Sequence, residues 1–117
     1  MVGGKKLKAL FDIRSNRSYI VKKAISKPEC CMSTHPFNIV LNKRRWKIKE
    51  VYTVIGEMNE LPFDFSAYLI DDLGKVDGKE IDVLIGASTM AEWEIRFMPD
   101  KKELKLSGLK ERKFTEF

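Results

Sequence analysis

Few residues in this chain are of a type that does chemistry, and they are unevenly placed. His35 and the adjacent pair Cys30 and Cys31 are its whole supply of imidazole and thiol. Neighbouring cysteines do not easily reach the geometry of an unstrained disulfide. With no CxxC or HExxH spacing, they and one histidine make a poor zinc set. No metal or other cofactor is expected. Lys43, Arg44, Arg45, Lys47 and Lys49 crowd one short segment around Trp46. Basic groups beside an aromatic ring suit stacking on nucleic-acid bases. They suit equally a solvated strand edge that lysine protects from aggregation. A second basic group, Lys110, Arg112 and Lys113, lies in the tail. Asp12 ends an apolar run, and after Ile13 comes the polar stretch Arg14 to Ser18, where an aspartate either closes a turn or presents a carboxylate.

The elements that must position these residues belong to one domain. A length of 117 residues fits a single core, and 44% hydrophobic content fills one. No apolar stretch approaches the roughly 18 to 20 residues that span a bilayer. The segment Met1–Lys6 lacks the apolar run of a secretory signal. A soluble cytoplasmic protein with no membrane partner is expected, with its cysteines reduced. A charged fraction of 33% with no glutamine is a balance that hyperthermophile proteins show, and it suggests a prokaryotic source. The formal net charge of +5 permits an acidic partner without requiring one.

The hydrophobic pattern is mostly that of short strands. Leu7 to Asp12 is apolar on both faces, which predicts an interior strand. Ser18 to Ala24 predicts a helical turn capped by Ser18, with a strand as the alternative. Pro28 to Pro36 reads as a loop. Phe37–Leu41 and Trp46–Ile55 predict a hairpin turning through Asn42 to Arg45. The alternation of the second strand slips near Glu50, which predicts a bulge. Gly56 to Glu60 supplies the next turn, and Leu61–Ile70 puts Phe63, Phe65, Ala67 and Leu69 on one face. Asp71 to Gly78 reads as a loop, and Ile81–Ile85 as a buried strand ending at Gly86. Ala87 to Trp93 is the helix candidate, with Ser88 as its cap. Glu94–Phe97 and Leu104–Leu106 complete a hairpin turning at Pro99-Asp100. Short, evenly spaced strands with one helix indicate a small barrel or sandwich.

Two segments roughly seventy residues apart carry a resemblance. Ala9-Leu10-Phe11-Asp12-Ile13-Arg14-Ser15, followed by Ser18-Tyr19-Ile20, resembles the active-site segment of retropepsin-like aspartic proteases. There, apolar residues precede Asp-Thr/Ser-Gly-Ala/Ser. Ile81–Ala87, with Met90 and Trp93, is similar to the family's later signature, an apolar pair and a glycine opening a short helix. A flap-like hairpin, Val40 to Trp46, lies between them, so the likeness runs from Leu7 to Leu106. It implies a mainly β, small closed barrel of the retropepsin type with one short helix near residues 87–93. It implies one domain over residues 1–117, with its core at 7–106 and a basic tail at 107–117.

The resemblance also implies a chemistry. Asp12 is the catalytic candidate, and one such motif per chain demands a homodimer that pairs two copies on the two-fold axis. Such a pair shares one proton. One carboxylate activates water and the other protonates the peptide carbonyl. Arg14, Ser15 and Asn16 beside Asp12, with Arg44 and Trp46 on the hairpin, are the candidates for binding a peptide or protein substrate.

The motif departs from the family pattern. Ile13 stands where a hydroxyl locks the two loops together, and Arg14 where glycine lets the backbone approach the carboxylate. Arg14 is expected to pair with Asp12, in its own subunit or the partner, or to point away and offer only its backbone. The hairpin tip has no glycine, and Ala87 replaces an arginine that braces the active-site loop in retroviral members. Three readings follow. The first is an aspartic endopeptidase of the retropepsin type. The second is a catalytically inactive dimeric binding or assembly module of the same fold. The third is a small basic nucleic-acid-binding β-domain. No RNP-type motif or basic helix accompanies the basic segment, so nucleic acid is not the expected partner.

Overall fold

The computed structural model describes residues 6–25, 29, 31–41, 43–58, 60–98 and 103–105. Its strands are β1 (Ala9–Asp12), β2 (Tyr19–Val21), β3 (Met32–Leu41), β4 (Arg44–Met58), β5 (Leu61–Ile70), β6 (Lys75–Val76), β7 (Lys79–Glu80), β8 (Val83–Gly86), β9 (Arg96–Met98) and β10 (Glu103–Lys105). One helix, α1 (Ala87–Glu92), follows β8 directly. Six strands form one sheet in the order β1-β8-β2-β5-β4-β3, while β6 pairs with β7 and β9 with β10. The sheet is mixed: β1 runs parallel to β8, and β2 parallel to β5 but antiparallel to β8. It curls into a half-barrel, so that Ala9 and Phe11 of β1 and Val83 and Ile85 of β8 share an apolar cleft of about 130 Å³ with Val54 and Phe63 of β4 and β5.

Period-two patterning decides which faces close. In β5, Phe63, Phe65, Ala67 and Leu69 are buried while Asp64 and Ser66 are exposed, as the alternation predicts. Ile20, Val21, Ile48, Val54, Ile70 and Ile85 are the largest of the fully buried side chains, at 2% exposure or less. Each stabilises the fold by about 1.5 to 3 kcal/mol relative to full exposure. Trp93, just past α1, packs on Phe63 with ring centroids 5.2 Å apart, and its indole N–H donates to Asp64 O at 2.7 Å.

Several expectations from the sequence are corrected. β1 is an edge strand with Ala9 exposed, not an interior one, because its apolar residues divide between the curled interior and the outside. Tyr19–Val21 is a strand, all three residues buried between β5 and β8, and the helical turn is only a 3-10 turn at Lys22–Ala24. Bulky aromatic and β-branched residues fit this two-sided burial better than a helix surface. β3 begins at Met32, inside the segment read as loop, and it tolerates Pro36 because it is an edge strand.

The irregularity expected near Glu50 lies on the partner strand. Ser33 pairs with Glu50 and Phe37 with Ile48, so the extra residues belong to β3, while Ile48, Tyr52 and Val54 keep one phase in β4. The hairpin turn is tighter than Asn42–Arg45, since Arg44 and Arg45 already pair with Leu41 and Val40. Lys43 takes the left-handed conformation there (φ 62°), in place of the glycine such a tip favours. β4 runs on to Met58, past the turn expected at Gly56. The loop after β5 holds a small hairpin turning at Asp77 and Gly78, both with positive φ. Leu106, Pro99, Asp100, Cys30 and the basic tail lie outside the described residues.

Candidate active site

Asp12 ends β1, and the parallel pairing sets it beside Gly86 at the end of β8. Its side chain is 25% exposed. Oδ1 accepts the backbone N–H of Arg14 at 2.9 Å, and Arg14 Nε lies 3.7 Å from the same oxygen. The Arg14 side chain is 91% exposed, so that ion pair sits in water and is weak. The backbone of Arg14 therefore aims the carboxylate, and its guanidinium does not cover it. The loop then folds back on itself. Ser15 N–H donates to Asp12 O at 3.2 Å, and Ser15 Oγ donates to Arg17 O at 2.8 Å.

The loop is pinned to the start of α1. Ala87 N–H donates to Ser15 O at 2.7 Å and Ser88 N–H to Asn16 O at 3.2 Å. Ser88 Oγ donates to Asn16 Oδ1 at 2.8 Å, so Ser88 grips the loop and does not cap the helix, whose N-cap is Gly86. Deeper in, Ser18 Oγ accepts Gly86 N–H at 3.0 Å and lies 2.7 Å from Thr89 Oγ1. Both hydroxyls are buried, so each satisfies the other away from water. Gly86 is required by approach: a Cβ there would sit 2.3 Å from Arg17 O and 2.8 Å from Ser15 O. The brace that Ala87 cannot supply is thus built from Ser18, Ser88 and Thr89. Their only signal in the sequence is hydroxyl residues placed among apolar ones on either side of the two motifs.

Among the candidates read from the sequence, Arg14, Ser15 and Asn16 share the Asp12 loop. The side chains of Ser15 and Asn16 are both engaged in holding it. Arg44 and Trp46 sit together at the β3–β4 tip. The Arg44 guanidinium lies 4.5 Å from the Trp46 ring, and Nη1 lies 3.5 Å from Asp72 Oδ2 in the loop after β5. No hydrogen bond or ion pair joins this group to the Asp12 loop among the described residues. Ile13 is 67% exposed next to Asp12, an apolar side chain left open at the site itself. A carboxylate aimed by a backbone N–H and reached by solvent can activate water; protonating a leaving group needs a second acid.

The sheet order and the Asp12 loop gripped by a short helix define a β domain with the retropepsin-like fold. A solved structure of similar shape is the retroviral protease-like domain of Ddi1 from Leishmania major, with a TM-score of 0.70 over 91% of this chain and 82% of that one. The two are 14% identical, so the likeness speaks to the fold. No family model matches the sequence, and no curated protein matches it. Among the described residues, no helix is long and apolar enough to cross a membrane.

Proposed function

We propose that this chain is an aspartic-type endopeptidase that works as a homodimer, with Asp12 of each copy forming a carboxylate dyad. The observation that carries this reading is the backbone N–H of Arg14 on Asp12 Oδ1, which leaves the carboxylate aimed and open despite the arginine side chain. In the dimer one carboxylate takes a proton from water while the other, protonated, gives its proton to the peptide carbonyl oxygen. Arg44 and Trp46 at the hairpin tip would close over the peptide. The second reading is a non-catalytic dimeric module, and Ile13 favours it. An exposed isoleucine beside Asp12 buries on association yet offers no hydroxyl to lock the paired loops.

Asp12→Asn separates the two readings. Cleavage of an unstructured protein should appear at acid pH, around the unperturbed carboxylate value of about 3.9, and vanish in the variant while the dimer persists in sedimentation. An amide can neither share the proton nor activate water. Undiminished cleavage by the variant would remove Asp12 from the mechanism. A dimer without cleavage in the parent would leave the binding module standing.

A further inference from the structure

Apart from the Asp12 carboxylate, a polar trough of about 440 Å³ lies where α1 and residues 16–18 overlap the exposed side of β4 and β5. One end holds Arg17. Its guanidinium carbon lies 4.3 Å from the Phe37 ring centroid and 5.8 Å from that of Tyr68. The buried Tyr19 phenol lies near it, and burial raises the phenol above its ordinary range while the Arg17 charge opposes that rise. Two rings thus hold the guanidinium, yet no carboxylate pairs with it among the described residues. A fixed guanidinium with free N–H donors suits an oxyanion, which it binds with two parallel hydrogen bonds.

The floor and far end of the trough have different chemistry. Thr53 and Ser66 are cross-strand partners, and both are exposed. Beyond them Asp64 and Glu92 line the trough. Asp64 pairs with no cation among the described residues. Tyr68, beside Arg17, and Asp64 are four residues apart on β5, a span of about 14 Å. A cation-binding end and an anion-binding end are therefore separated by the length of an extended tetrapeptide, at up to roughly 3.5 Å per residue.

We infer that this trough is a binding site for short peptides with free ends, the terminal carboxylate on Arg17 and the terminal ammonium against Asp64 and Glu92, with Thr53 and Ser66 hydroxyls along the backbone. The inference needs neither a dimer nor catalysis. Because Asn16 and Ser88 line the trough and also hold the Asp12 loop, an occupant would press on the element that carries Asp12.

The test is titration of the full chain with free tetra-alanine, followed by amide NMR shifts and calorimetry. N-acetyl-tetra-alanine amide, which has the same length and no charged ends, is the control. Binding in the millimolar range or tighter is expected, with shifts at Thr53, Ser66 and Ser88. Arg17→Gln or Asp64→Asn should each weaken binding by about tenfold, as the loss of one charge-assisted hydrogen-bonded contact implies, and blocking both ends should weaken it by about a hundredfold. Arg17→Lys keeps the charge but loses the fork, and guards against a folding artefact: it should bind more weakly than the parent with an unchanged melting temperature. Equal binding of the blocked peptide, no shift at the highest soluble concentration, or parent-like binding by Asp64→Asn would overturn the site. So would inorganic phosphate that reproduces every shift, which would leave an anion contact at Arg17 alone.

Discussion

The Asp12 loop and the β3–β4 hairpin tip are both turns at strand ends, and they are held in opposite ways. The loop is short and wrapped on a single glycine, and a pair of buried hydroxyls and three contacts from α1 fix it. The tip stands at the end of a long ladder and turns through a left-handed lysine, and among the described residues its polar tie to the rest is one surface ion pair, beside the partial packing of Leu41 and Trp46. Buried hydrogen bonds are costly to break because their partners are left dry, whereas exposed ion pairs are worth about 0 to 1 kcal/mol. The chain thus places stiffness where the carboxylate must be aimed and leaves the tip cheap to move.

Gly86→Ala should break the loop side of this contrast most severely. The added methyl would sit 2.3 Å from a backbone carbonyl, and backbone cannot step aside as a flexible side chain can. A loss of about 3 kcal/mol or more is expected in a denaturant midpoint, since steric conflict at a packed site is among the few routes to large effects.

The hydroxyl pair comes next. Ser18→Ala and Thr89→Val should each cost about 1 to 3 kcal/mol, because each strands a buried partner. The double variant should lose clearly less than the sum, and a double-mutant cycle reads that coupling. Strict additivity would show that the pair contributes nothing as a pair.

On the hairpin side the change should be small in stability and visible in motion. Arg44→Ala removes the pair with Asp72 and is expected to cost less than about 1 kcal/mol. Amide exchange should nevertheless quicken at Leu41 to Trp46 while Asp12 to Ser18 stays protected. Equal quickening in both regions would erase the distinction drawn between them.

The smallest effect concerns Lys23 and Glu80, an exposed pair bridging the 3-10 turn and β7. The Lys23 hydrogen bond and charge hold the Glu80 carboxyl below its ordinary 4.5. In return, the Glu80 hydrogen bond and charge hold the Lys23 ammonium above its ordinary 10.5. A depressed carboxyl contributes stability above its unfolded value and loses it as pH falls through the folded one. A raised ammonium contributes below its unfolded value and loses it as pH rises through the folded one. Lys23→Gln should therefore lower the melting temperature slightly at neutral pH, and the difference should close in strong acid. A difference that persisted there would mean that Lys23 acts through packing.

The sequence was most informative where a pattern repeats along one element. Alternation in Leu61–Ile70 announced its buried face, the apolar run before Gly86 announced β8, and α1 began where expected. Asp12 was singled out by the resemblance of its segment to a retropepsin-like active-site motif, and composition alone did not point to it. Local signals were not enough for Ser18–Ala24, where a good helix cap became a buried hydrogen-bond partner of Thr89, 71 residues away. The same holds for β1, whose apolar residues on both faces read as interior although the curl of the sheet makes it an edge.

Sequence by itself determined the strands that alternate or run apolar over a long stretch, such as Leu61–Ile70 and Val83–Gly86, and which residues are apolar enough to be core. These follow from side-chain type and short-range periodicity, which every local stretch carries within itself. Only the tertiary structure decided that Arg14 turns its backbone and not its charge to Asp12, and that hydroxyls from two distant segments brace the loop. Only it set Arg17 on Phe37 and Tyr68, at one end of a trough whose other end is acidic. Those arrangements depend on which strands lie side by side, and strand order is set by burying the whole core at once and not by any residue's own preference.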